Sequence, residues 1–486
     1  NTSGTSNIAI GQNALYANTT INNIVAIGDS ALYNNGVGAG GILQGNGNTA
    51  VGSKSLFANN IGYYNTATGY QSMLANTQGY GNSAHGYKSL AANTSGFGNT
   101  AQGSQSLPVN TTGFDNTAIG YQSMYNNLYG DYNTAVGQQS LYSSTDGNYN
   151  TAIGNNALYS LTTGNSNIAV GHQTMYYNTT GTQNTAIGNS ALRTNSSGTN
   201  NTAFGFQAMF DNTTGNFNST FGNESLINNL TGNYNTATGN TALYSNSTGS
   251  YNTANGHSAG SVNDNSSFCT YLGYDADQPD GSDITNSTAV GSASRITASN
   301  QVRVGSSTVT SIGGYANWTN ISDSRFKENI QDNVPGLEFI NALKPVTYTL
   351  DVAGMSQFLN ESNIGPDAKS NGEISALAIG EKSSIVYTGF LAQDVAAAAD
   401  NIGYDFSGVD KPENEQSLYG LRYAEFVVPL VKAVQELDAM HSAAQTTNSL
   451  QDSLLSVQQK EIQLLSQKIT ELESLLAAQS TATDGM

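Results

Sequence analysis

Residues 116–127 read NTAIGYQSMYNN. The opening tetrad of this stretch returns along the chain: NTAVG ends at Gly52, NTATG at Gly69, NSAHG at Gly86, NTAQG at Gly103 and NTAIG at Gly120. The series runs on through Gly137, Gly154 and Gly171 to Gly273, always in steps of 17 residues. Two earlier copies end at Gly11 and Gly28, and the jump of 24 to Gly52 marks a seven-residue insertion near GVGAGGI. A second glycine series, from Gly79 and Gly96 to Gly249, keeps the same step. Each unit thus carries two turn signals rich in Asn, Thr and Gly, residues that reach positive φ or bond the backbone locally. Between the turns, the alternation of T-A-x sets Ala67, Ala118 and Ala152 on one face, while Met73, Leu90, Leu107 and Met124 mark a second apolar position. Segments this short cannot form useful helices, and a fixed period with two turns per unit predicts a mostly β chain, a stacked parallel β-solenoid. At about 4.8 Å per coil, roughly sixteen coils would span on the order of 75 Å. The Asn before each T-A-x-G is expected to stack into a side-chain amide ladder. Within the first 260 residues only Pro108 lacks a backbone donor.

Composition agrees and excludes several functions. Of 486 residues 10% are charged, well below the usual quarter of a globular domain. A net charge of -19 with no basic stripe argues against nucleic acid as partner. No apolar run is long enough to insert into a membrane, no charged-then-apolar leader opens the chain at Asn1, and one cysteine, Cys269, cannot build a disulfide framework. Up to residue 260 the charged residues are Lys54, Lys88, Arg193, Asp29, Asp115, Asp131, Asp146, Asp211 and Glu224, too scattered for paired-carboxylate catalysis or a calcium repeat. No cofactor is expected. His85 fills the x slot of T-A-x-G, where three imidazoles could meet around an ion if that slot faced a three-fold axis; a solvated or hydrogen-bonded histidine is the plainer reading. Sequons recur at Asn93, Asn110, Asn178, Asn195, Asn212 and Asn246, yet N-T-T is also good turn chemistry. Stacked Tyr and Asn columns could bind a host-surface glycan weakly.

Each coil has a thin core, so chains are expected to associate along their length. NTAIGYQSMYNN and its relatives resemble the head repeats of trimeric autotransporter adhesins, the YadA-like left-handed β-roll, whose repeat is usually shorter than 17. The resemblance implies a parallel homotrimer; composition and spacing alone imply a solenoid that is oligomeric. The chain closes on a polar coiled coil and QSTATDGM, not on the alternating membrane strands of such adhesins.

The period loosens after Gly273, with STAVG ending at Gly291 and VRVG at Gly305, so residues 1–262 read as the solenoid and 263–320 as a tapering β neck. From 321 charge returns, prolines stand at 335, 345, 366, 412 and 429, and strand-like VTYTLD (346–351) and SIVYTGFLA (384–392) alternate with helix-like stretches, an α+β domain over 321–445. At its head, residues 318–330 read WTNISDSRFKENI. Ser322 could simply cap a helix, and a Ser and Lys five apart are common by chance. However, WTNISDSRFKENI, GLEFINALKPVTYTL, TGFLAQDV and YAEFVVPLVKAVQEL, in this order, resemble the C-terminal intramolecular chaperone domain of phage endosialidases, tail fibres and spikes, over about 318–445. The resemblance implies a catalytic dyad of Ser322 and Lys327 and a single autoproteolytic cut between Ile321 and Ser322, with no external substrate. Leu455, Ile462, Ile469 and Leu476, with Leu465 and Leu472 between, read as a coiled-coil seam of about three heptads within 446–486, too short to settle two strands against three, with an amphipathic packing helix as the alternative. The expected function is a homotrimeric fibre or spike of a virion, or else a cell-surface adhesin or filament subunit, whose chaperone sets register and then removes itself.

Overall fold

The computed structural model describes residues 2–361 and 372–483, so Pro366 and the last three residues of QSTATDGM lie outside the described residues. Eighteen strands of three residues, β1 (Ile8–Ile10) to β18 (Val302–Val304), form one parallel sheet in which each strand pairs with the strand of the next coil. Beyond it follow α1 (Leu337–Ala342), β19 (Val346–Tyr348), α2 (Val352–Phe358), α3 (Gly372–Ser383), β20 (Tyr387–Gly389), α4 (Ala392–Asn401), β21 (Val409–Asp410), β22 (Gly420–Leu421) and α5 (Val427–Thr483). Two compact units divide the chain: Asn1–Gly313 with Asp351–Ser383, and Gly314–Leu350 with Ser384–Met486.

The solenoid reading holds, and the sheet continues past Gly273. Ala118 pairs with Ala135 and Ala135 with Ala152 in the 17-residue register, while β16 to β18 keep pairing through steps of 18 and 14 residues (Thr270↔Thr288, Thr288↔Val302). From β2 to β17 the middle residue of the strand is buried and its neighbours are more exposed, as period-two alternation requires, whereas β1 at the end of the stack is exposed throughout. The following glycine makes the corner at Gly120 with φ +132°, and a Cβ there would lie 2.5 Å from the carbonyl oxygen of Gly137, so both backbone angle and stacking demand glycine.

The second apolar segment is not a strand. Leu90, Leu107, Met124 and Leu141 sit in turns at φ 48° to 51°, in the left-handed region, with side chains fully buried. Core and turn are therefore made by the same residue.

Two amide ladders run inside the coils. In the expected one, Asn99 Nδ2 donates to Asn82 Oδ1 (3.2 Å) and the Asn99 backbone N–H donates to the same oxygen (2.9 Å), and Asn116 repeats both contacts on Asn99. The second lies in the other turn: Asn93 Nδ2 donates to Asn76 Oδ1 (2.8 Å) and to the Gly96 carbonyl (2.9 Å). This ladder lapses where Ser144 and Leu161 take the asparagine position, and it resumes with Asn195 on Asn178 (3.1 Å). The seven-residue insertion keeps the same turn base: Asn35 Nδ2 donates to the Gly45 carbonyl (3.2 Å) as Asn59 Nδ2 donates to that of Gly62 (2.9 Å).

Near the end of the solenoid the core is recut. Tyr271 replaces the strand alanine and is fully buried, and Gly260 replaces the Leu or Met, where a Cβ would come within 2.7 Å of the Tyr271 ring. Volume moves from one slot to the other at little cost. Beside it Arg295 pairs with Asp275 (2.6 Å), and Asp277 accepts from Ser261 Oγ (3.0 Å) and from the amides of Val262 and Gln278 (each 2.9 Å). In the same unit, Asn360 after α2 donates to the Pro279 carbonyl (3.1 Å), and Glu361 accepts from the Ser307 amide (2.9 Å).

The second unit is an α+β body with a long helix. β19 and β20 pair antiparallel, Val346 opposite Gly389, and are shorter than VTYTLD and SIVYTGFLA suggested because Asp351 caps α2 on the Gly354 amide (2.9 Å) and Ala392 begins α4. Phe339 of α1, Val395 of α4, Phe406 and Phe426 form its buried cluster.

Candidate functional site

A single 3-10 turn, Ser324–Phe326, builds the site. Asp323 caps the turn, its side chain accepting from the Arg325 amide (3.0 Å), and the Arg325 guanidinium folds back on the same carboxylate (2.6 Å). These hydrogen bonds from Arg325 hold the Asp323 carboxyl below its ordinary range. The N–H of Lys327 closes the turn on the Ser324 carbonyl (3.2 Å). Four residues thus turn the chain back on itself, and Lys327 Nζ reaches Ser322 Oγ at 2.8 Å. Ser322 is not the cap of a helix; Asp323 takes that task, and the serine hydroxyl is left to the lysine.

Both partners are exposed in the single chain. So are Trp318 (92%), Ile321 (94%), Phe326 (79%) and Ile330 (76%), four large apolar side chains within thirteen residues. Such a cluster marks a surface made to be covered. The other three motifs meet elsewhere in the unit: GLEFINALKPVTYTL supplies Phe339, TGFLAQDV supplies Val395 and YAEFVVPLVKAVQEL supplies Phe426, all in one buried cluster. Phe406 packs between Phe339 and Phe426, with ring centroids 4.9 Å from each.

The other candidate residues are not brought to this place. His85 lies in β5 (Ser83–His85), where Nδ1 contacts Thr68 Oγ1 and Nε2 lies 3.2 Å from Ser83 Oγ, so its own chain engages both ring nitrogens. The sequon residues Asn93, Asn110, Asn178, Asn195, Asn212 and Asn246 are fully buried in the second ladder, which makes them structural amides in the folded rod. Aromatic columns do form: Tyr125, Tyr142, Tyr159 and Tyr176 stack at 4.9 to 5.1 Å with rings within 8° of parallel. Their faces are turned on one another and edges outward. Among the described residues no group of three or more His, Cys, Asp or Glu is placed to hold a metal, and no helix is long and apolar enough to cross a membrane.

One titratable cluster was not read from the sequence. Asp275 and Asp277 are both buried, and the one guanidinium beside them, that of Arg295, pairs with Asp275. Burial pushes both carboxyls up against the pull of Arg295, Asp277 to about 7. The signal was present: DAD at 275–277 places two acids in a solenoid otherwise almost free of charge.

Residues 322–404 match the family described as chaperone of endosialidase. The match begins at Ser322 itself. No curated protein and no solved structure matches the chain.

Proposed function

We propose that this chain is one of three in a fibre or spike displayed outside the cell or on a virion. The part of the chain from Ser322 onward holds the three solenoids in register during assembly and is then released by a cut before Ser322. The observation that carries this reading is the 2.8 Å contact from Lys327 to Ser322 at the first residue of the chaperone match. A lysine base next to a hydroxyl nucleophile is the Ser/Lys form of an activated nucleophile. Oγ of Ser322 bonds to the Ile321 carbonyl carbon as its proton passes to Lys327 Nζ. The C–N bond breaks with the proton returned to the departing amine, leaving Ile321 as an ester on Oγ. Water hydrolyses that ester, yielding the Ile321 carboxylate and Ser322 as a new N-terminus. Nucleophile and carbonyl belong to adjacent residues, so proximity supplies much of the rate.

Association is supported by apolar surface the single chain leaves open. In the x slot of the strands Ile10, Ile153, Ile187, Phe221, Leu272 and Val304 remain 37% to 59% exposed along one sheet face. Covering Trp318, Ile321, Phe326 and Ile330 in the assembly would also withdraw water from the Ser322–Lys327 pair. On this reading cutting waits for assembly. Intact masses of the wild-type chain and Ser322→Ala under denaturing conditions test it. A break before Ser322 in the wild type alone is expected; an uncut wild-type trimer would mean the domain stays on as a permanent cap.

A further inference from the structure

Helix α5 has two distinct sides over its first turns. Ala433 is buried, and Glu436 accepts from the Leu337 amide at the start of α1 (2.7 Å), so one side rests on its own unit. The other leaves Val427, Leu430, Val434 and Leu437 46% to 63% exposed. These open residues continue the downstream seam in a single seven-residue register. Val427, Val434, His441, Asn448, Leu455, Ile462, Ile469 and Leu476 take one core position; Leu430, Leu437, Ala444, Gln451, Gln458, Leu465 and Leu472 take the other. The seam is apolar at both ends and polar in the middle. His441 stands at the head of that polar section.

We propose that three copies of His441 converge on the axis of the α5 coiled coil and bind one divalent transition-metal ion of the zinc class. The site rests on the trimeric reading above, since each chain supplies one ligand. Symmetry makes the case: three equivalent imidazoles on a three-fold axis must present the same atom to one point. Asn448 and Gln451 carry a donor and an acceptor each and can satisfy one another across chains. Three imidazole lone pairs aimed at one point cannot, and a cation resolves them. Two neighbours fit this arrangement. Gln445, one turn on, places its amide 3.0 Å from His441 Nε2. With that amide turned over, its oxygen accepts from Nε2–H, fixing the tautomer that frees Nδ1 for an ion. Asp438 lies three residues before His441, a spacing that makes the two neighbours on the helix surface. Ala444, the next core residue, is small enough to leave room for a fourth ligand such as water.

The test uses the Ser322→Ala chain, which keeps solenoid and helix in one polypeptide, incubated with zinc, dialysed and weighed by native mass spectrometry. A trimer carrying one zinc ion is expected, with the ion lost in His441→Ala and in His441→Asn, which keeps a polar layer, and retained in His85→Ala. A trimer that binds no zinc, or zinc that survives both His441 variants, overturns the site while leaving the trimer standing. A chain that weighs as a monomer or dimer removes the three-fold axis and overturns both.

Discussion

Leu141 keeps its backbone at φ 50° while its side chain is fully buried. Left-handed backbone is least favourable for β-branched side chains, Thr241 at φ 53° being a rare instance, and it costs other residues about 1–2 kcal/mol, which burial and the stacked hydrogen bonds must offset. That explains a restriction visible from Leu15 to Leu243: the slot takes Leu or Met and never Ile or Val. Leu141→Ile is expected to lower stability by about 2 kcal/mol or more, from strain at a site its neighbours over-determine. Leu141→Met, already the residue at Met124 and Met175, should cost less than about 1.5 kcal/mol. Thermal unfolding of the two variants side by side decides it, and equal losses would sink the conformational argument. The apolar character of this slot was legible in the sequence. Its left-handed backbone was not, although the missing β-branched residues were its trace. At Ser322 the pairing of serine and lysine was suggested only by the surrounding motif; the turn that brings Lys327 to Ser322 depends on Asp323 and Arg325, which no spacing rule singled out.

At the scale of single coils, the recut end around Tyr271 carries a pH dependence. A carboxyl whose folded pKa is raised from 3.8 to about 7 binds a proton on folding, so its stabilisation is complete below the lower value and is lost as pH rises through the upper. Calorimetry should therefore find the end of the solenoid melting at a lower temperature at pH 8 than at pH 5, and Asp277→Asn should flatten that difference. A wild-type melt independent of pH over this window would contradict the assignment to Asp277. The coil period, the strand alanines and the first amide ladder could be read from spacing, because stacking repeats each contact every 17 residues. The second ladder was hidden by its own chemistry. Asn110 sits in an N-T-T that reads equally as turn, sequon or buried amide, and only the three-dimensional path shows its Nδ2 on Asn93 (2.9 Å).

For the molecule as a whole, sameness is the difficulty. A coil shifted by one step meets nearly identical partners, Thr against Thr and Ala against Ala, so misregistered pairing loses little. Residues 1–321 expressed alone should therefore give a broad mixture of sizes in sedimentation, while the full chain gives one species; a single sharp species from the fragment would show that no chaperone is needed. The same sameness has another side. Asn35 and Gly45 close a turn ten residues long with the hydrogen bond that Asn59 and Gly62 use across three. Length added at such a corner enlarges only a surface loop, and the entropic penalty grows slowly with its size. Every coil with this Asn–Gly base is thus a graft point at a fixed distance from the next. What the surface touches could diversify by lengthening corners, one at a time, while the stack beneath keeps its pitch.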